Sequence, residues 1–249
     1  MKFINKNIFL EYTKNLKFIG QGSEGICYLN PRENKVYKIY HQFYDELEEG
    51  FSEDEHINYE DKELMKFSNI KNNTFIFPTE TIKIGNETIG YKLPYIKAKN
   101  LYKQNPLSIN LSEFEYAIKE AYKQIEEISE YKVLTYDMMF NILYNGSFYI
   151  IDHSEYTFSN KNSIDLFKQN RKNFDKEIYY FLTEGLFDEY VSKNKNLNQA
   201  YSKKEITSLE YLKLLRFELT KEIGKIETLG DAASLRNRRI KKDNFYRAI

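Results

Sequence analysis

Tryptophan is absent and cysteine occurs once, at Cys27, so no internal disulfide can staple the chain, and a reducing compartment suits it. An excess of either charge is lacking too. The 37 basic residues face 37 acidic ones, which excludes a whole-protein electrostatic drive onto nucleic acid or an anionic membrane. No apolar run approaches the ~18–20 residues that span a bilayer. The opening MKFINKNIFLEYTKN is interrupted by Asn, Lys and Glu, so no signal peptide is expected and the cytoplasm is the expected compartment. What the chain does have is aromatic rings, 22 Tyr and 18 Phe in 249 residues. That supply supports an aromatic-rich globular core in one large domain or two small lobes.

The stretch Val133 to Tyr156, VLTYDMMFNILYNGSFYIIDHSEY, organises the reading. Asn145-Gly146 separates two short apolar runs, 141–144 and 147–151, and Asn-Gly predicts a hairpin with a type I′ turn. Such a hairpin puts Asn141 at the mouth of its first strand and Asp152 at the exit of its second. An amide oxygen and a carboxylate then emerge on one edge, a donor set that suits Mg²⁺. Asp137 lies just upstream, within reach of that edge, where it could accept a proton or orient a hydroxyl. The competing reading is a surface hairpin with polar ends, since Asp and Asn also favour strand ends for turn reasons.

Near the start, Lys17-Phe18-Ile19 reads as a strand running into Gly20-Gln21-Gly22-Ser23-Glu24-Gly25, and Ile26 to Leu29 reads as the next. Glycines at this spacing let backbone approach a phosphate and adopt positive φ where a turn demands it. A dinucleotide-binding fold needs a helix directly after such a loop; here a strand and the turn Asn30-Pro31-Arg32-Glu33-Asn34 follow, which excludes it. The chain returns through Val36 to Tyr40, a strand whose one charge is Lys38. A lysine opposite a glycine-rich loop is suited to a phosphate, although an exposed strand lysine is the plain alternative. Residues 45–63 hold ten acids and one lysine, an acidic loop leading into a helix expected over 58–68. Phe75 to Pro78, Glu80 to Ile84 and Thr88 to Leu93 read as strands. Helices are expected from 108–112 onward, with apolar residues at Phe114, Ile118, Ala121, Tyr122, Ile125 and Ile128 in helical spacing, and over 163–183, 187–193 and 203–224. The last stretch, LRNRRIKKDNFYRAI, has six basic residues and one acid; it reads as a solvated end, with docking to an acidic substrate or nucleic acid as the second option.

Taken together these pieces resemble the protein-kinase-like superfamily. The glycine loop is similar to GxGxxGxV, with Cys27 in the valine place, and VYKIY looks like the Val-Ala-Ile-Lys strand. TYDMMFN stands where the catalytic loop His-Arg-Asp-x-x-x-x-Asn would be, and DHS replaces Asp-Phe-Gly. The resemblance runs from Phe18 to Tyr156, over half of the chain. It implies an α+β, two-lobed protein-kinase-like fold. Residues 1–96 would form an N-terminal nucleotide-binding lobe, an antiparallel sheet with one helix. Residues 97–249 would form a mainly helical C-terminal lobe carrying the catalytic and metal-binding hairpin.

The resemblance also assigns roles. Gly20, Gly22, Ser23, Gly25 and Cys27 would cover the phosphates of ATP, and Lys38 would contact the α and β phosphates. Glu63, with Glu60 as runner-up, would hold Lys38. Pro94 and Ile96 would lie in the connector that meets the adenine edge, Pro94 offering only its carbonyl. Asn141 and Asp152 would hold Mg²⁺, and Asp137 would act on the accepting hydroxyl. The expected activity is transfer of the γ-phosphate to a hydroxyl, protein Ser or Thr ahead of a small molecule. The alternatives are an aminoglycoside- or choline-type small-molecule kinase, or a pseudokinase that binds nucleotide without chemistry. Three departures stand out. Only three residues separate Asp137 from Asn141 where the family has four. Thr135-Tyr136 replaces His-Arg, so control by activation-loop phosphorylation is not expected. His153-Ser154 replaces Phe-Gly, with no Ala-Pro-Glu afterwards. His41, His56 and His153 lack zinc-ligand spacing.

Overall fold

The computed structural model describes residues 1–43, 60–136, 138 and 140–236. The chain divides into two compact units, Met1–Lys71 with Ile76–Lys97, and Asn72–Phe75 with Ala98–Ile249. The opening residues are structured: β1 (Lys2–Phe3) pairs in parallel with a strand some eighty residues on, and α1 (Lys6–Thr13) is capped by Asn5, whose side chain accepts from the Ile8 N–H. Then come β2 (Lys17–Gln21), β3 (Gly25–Asn30) and β4 (Lys35–Tyr40), followed by β5 (Glu80–Ile84) and β6 (Glu87–Pro94). The six strands form one sheet in the order β1-β5-β6-β4-β3-β2, antiparallel except for β1. β4 is therefore central. Phe3 and Phe9 meet edge to face at 5.1 Å and close a core with Tyr37, Ile39, Ile82 and Ile89.

In the second unit, α3 (Leu111–Glu130) starts at the Asn110 cap and buries Leu111, Phe114, Ala117, Ile118, Ala121, Ile125 and Ile128 along one stripe. β7 (Lys99–Asn100), β9 (Ile142–Tyr144) and β10 (Phe148–Ile150) make a small sheet in the order β10-β9-β7. β8 (Val133–Leu134) pairs with β11 (Thr157–Phe158). The helices α4 (Ser163–Leu182), α5 (Asp188–Lys193), α6 (Lys195–Lys203) and α7 (Ser208–Ile223) complete the unit, with a π-helical turn at Thr183–Phe187. Phe114, Phe148 and Phe174 meet edge to face in succession at 5.2 and 5.3 Å. Among the described residues no helix is long and apolar enough to cross a membrane.

Four expectations are corrected. The helix expected over 58–68 is one turn, α2 (Asp61–Leu64); residues 58 and 59 lie outside the described residues, and beyond Met65 the chain leaves in i→i+3 turns that bury Phe67. Phe75 to Pro78 is no strand. The Asn72 side chain takes the Thr74 and Phe75 N–H groups, Pro78 has none, and one parallel bridge, Phe75 to Ile150, is formed. The Asn145-Gly146 turn is a three-residue connection, because Tyr144 pairs with Phe148 and only Gly146 has positive φ; a type I′ turn requires it at both residues. The helix expected over 203–224 begins late, as α7, since Lys203 ends α6, Lys204 turns left-handed (φ 50) and a Thr207–Glu210 capping box starts α7; α6 itself was not expected.

Candidate functional site

In the first unit, Lys38 sits at the middle of β4, opposite Cys27 on β3 and Tyr91 on β6. It is 8% exposed, its ammonium 5.6 Å from the Tyr91 ring centroid. A buried ammonium requires an anionic partner, and here it has the Glu24 carboxylate at 2.5 Å. Glu63, the expected partner, is instead engaged by Lys66 at 2.8 Å, three residues along. That short-range pairing holds the Glu63 carboxyl below its usual pKa, chiefly through the hydrogen bond from Lys66.

Glu24 reaches Lys38 because the loop is folded against the end of β4. The Gly22 N–H donates to Gly25 O, the His41 N–H donates to Glu24 O, and the His41 Nε2 lies 2.8 Å from Gly22 O. The three glycines differ in what requires them. A Cβ on Gly25 would collide with the Ile39 carbonyl, so β3 needs glycine there to approach β4. Gly20 and Gly22 have open space around the Cβ position and no positive φ. Neither packing nor positive φ demands glycine at these two. Ser23 is exposed and Cys27 half-buried. Pro94 ends β6 in register with Lys35, and the Tyr95 N–H donates to Asn34 O; Ile96, just beyond, is half-buried.

In the second unit the hairpin register settles the relation of Asn141 to Asp152. Ile142 pairs with Ile150, and the Ile151 N–H donates to Asn141 O at 3.2 Å. Asp152 is thus one residue past the partner of Asn141, and both leave from one end of the hairpin. Asp152 accepts from the Ser154 N–H at 3.4 Å. Among the described residues no group of three His, Cys, Asp or Glu could hold a metal ion. Asn141 and Asp152 offer two oxygen donors, which fits Mg²⁺, an ion that keeps waters and phosphate oxygens in its other positions. Asp137 lies outside the described residues.

Two features here had no sequence signal. Phe140 has φ 62, a left-handed conformation that costs a non-glycine residue about 1–2 kcal/mol. It closes a tight turn in which the Asn141 N–H donates to Met138 O at 3.1 Å. The approach to this loop is held by α4. Asn170, fully buried, accepts from both the Thr135 N–H (2.9 Å) and hydroxyl (3.1 Å), and donates to Val133 O (2.8 Å) and Ser129 Oγ (3.0 Å). Asn173 donates to Thr135 O. Both polar groups of Asn170 are therefore engaged, tying α4 to the Val133–Thr135 backbone and to Ser129 at the end of α3.

No known protein family and no curated protein matches the sequence. The fold is similar to the autoinhibited serine kinase domain of the giant muscle protein titin, at 11% identity over 90% of this chain and 80% of that one, with a TM-score of 0.51. A chain in the structure of the CAK complex from Chaetomium thermophilum bound to ATP-γ-S is 11% identical over 61% of this chain, with a TM-score of 0.44; this chain spans half of its length.

Proposed function

From a chain with a protein-kinase-like, α+β fold, we propose an ATP- and Mg²⁺-dependent phosphotransferase acting on a hydroxyl, protein Ser or Thr ahead of a small molecule. The observation that carries this reading is the register that brings the Asn141 amide and the Asp152 carboxylate out at one end of a hairpin. Phosphoryl transfer asks for positioning and charge neutralisation more than for covalent chemistry, and each group has one such task. The Gly20 to Gly25 backbone covers the phosphates, with Ser23 and Cys27 alongside. Lys38 neutralises the α and β phosphates once Glu24 yields it. Pro94 and Ile96 meet the adenine edge. Asn141 and Asp152 hold Mg²⁺, which supplies charge compensation for the leaving oxygens, and Asp137 orients the accepting hydroxyl.

Incubation with γ-labelled ATP, with and without a casein-like protein, tests the reading. Label on protein supports the first acceptor class; turnover only with aminoglycosides or polyols supports the second. A pseudokinase is favoured by the shortened spacing from Asp137 to Asn141. Thermal stabilisation that needs both ATP and Mg²⁺, with no transfer to any acceptor, would establish it, and no response to ATP at all would sink both readings.

Glu24 adds a sharper expectation. Its carboxylate pairs with Lys38 at 2.5 Å, so on this reading Glu24 and phosphate compete for one ammonium. Glu24→Gln keeps the shape and removes the competing charge, and ATP should bind roughly 3–10-fold tighter, about 1 kcal/mol, measured by titration calorimetry. Unchanged or weaker binding would mean that Glu24 does not compete with phosphate.

A further inference from the structure

The left-handed residue at Phe140 and the amide of Asn100 form a device next to Asn141. Phe140 stands at the third position of the turn closed by the Asn141 N–H on Met138 O, where positive φ normally calls for glycine or asparagine. A phenylalanine persists in that conformation only where its surroundings over-determine it. Two contacts do so. The Asn100 Nδ2 donates to the Phe140 carbonyl, and the Phe140 ring packs edge-on against Tyr102 at 5.1 Å. Asn100 is itself fixed. β7 runs beside β9 with Asn100 opposite Leu143, and the Asn100 Oδ1 caps the following turn by accepting from the Tyr102 N–H at 3.0 Å.

We propose that Asn100 is a positioning residue that aims Asn141 at a metal–nucleotide complex by clamping Phe140 in its left-handed turn. The proposal rests on the reading of Asn141 as a metal ligand. Asn100 touches neither metal nor substrate; it acts through the Phe140 carbonyl, and loss of such an outer support typically weakens metal binding 10–100-fold.

Mn²⁺ with saturating ADP is the probe, free Mn²⁺ being read by electron paramagnetic resonance so that no turnover is needed. Asn100→Ser retains an oxygen that can cap Tyr102 yet is too short to reach the Phe140 carbonyl. It should weaken Mn²⁺ binding about 10-fold. Adding Phe140→Gly supplies a residue that takes positive φ without a clamp, and the double variant should recover most of the lost affinity, a rescue that a merely structural role for Asn100 would not give. Wild-type-like binding by Asn100→Ser, or a double variant as weak as the single one, would overturn the proposal while leaving the metal site standing. No Mn²⁺ binding by the wild-type protein would remove the metal reading itself, and the proposal with it.

Discussion

Replacing Asp152 with Asn is expected to reduce Mg²⁺-dependent transfer by on the order of 10²–10³-fold, because charge stabilisation by a bound metal is worth several kcal/mol and each 1.36 kcal/mol is tenfold in rate. The substitution preserves shape and removes the carboxylate charge that leaves the hairpin beside Asn141. Asp152 is half-buried at a strand exit, where it accepts from the Ser154 N–H at 3.4 Å and contributes little to the packed core. The melting temperature of the nucleotide-free protein should therefore move by no more than a few degrees. Asp137→Ala is the companion measurement. A loss as deep as that of Asp152→Asn makes Asp137 the catalytic aspartate of the shortened loop, and a mild one assigns the hydroxyl to another group. Full Mg²⁺-dependent activity in Asp152→Asn would return Asp152 to an ordinary strand-end residue.

Asn170→Leu should have the largest effect on stability. Leucine nearly matches asparagine in shape, so packing around α4 survives, but the Thr135 N–H and the Val133 carbonyl lose their side-chain partner inside the unit. Each buried polar group left unsatisfied costs about 1–3 kcal/mol, so a loss of about 3–5 kcal/mol is expected in urea unfolding. Transfer should fall as well, since the strand entering the 135–141 loop loses its anchor. A loss under about 1 kcal/mol in Asn170→Leu would mean that water or a backbone shift replaces these bonds.

Local chemistry was readable without coordinates wherever it acts over a few residues. The Asn145-Gly146 break between apolar runs marked the hairpin, the strand–glycine loop–strand order excluded a dinucleotide fold, and the 3.6-residue apolar spacing marked α3. From these the shared exit of Asn141 and Asp152 followed, because turn preference and side-chain periodicity are properties of neighbours in sequence; the α+β, kinase-like architecture came from the resemblance of the assembled motifs. Some short signals were misjudged: the length of the 145–147 turn depends on strand register, and α2 stops early where Phe67 is drawn into the core.

Tertiary structure alone chose the partners. Lys38 pairs with Glu24, fourteen residues away, and not with Glu63, because an ion pair forms with whatever carboxylate the fold delivers, and the folded glycine loop delivers this one. β1 has two residues, too few for any periodicity, and exists because β5 offers it an edge. Nothing about a phenylalanine announces positive φ; Phe140 adopts it because Asn100, forty residues earlier, holds its carbonyl. Asn170 likewise reads in sequence as one polar residue on a helix. Its identity as the anchor of the 133–135 segment comes from bonds that span 35 to 41 residues, a distance over which sequence pattern carries no signal and only the packed chain decides.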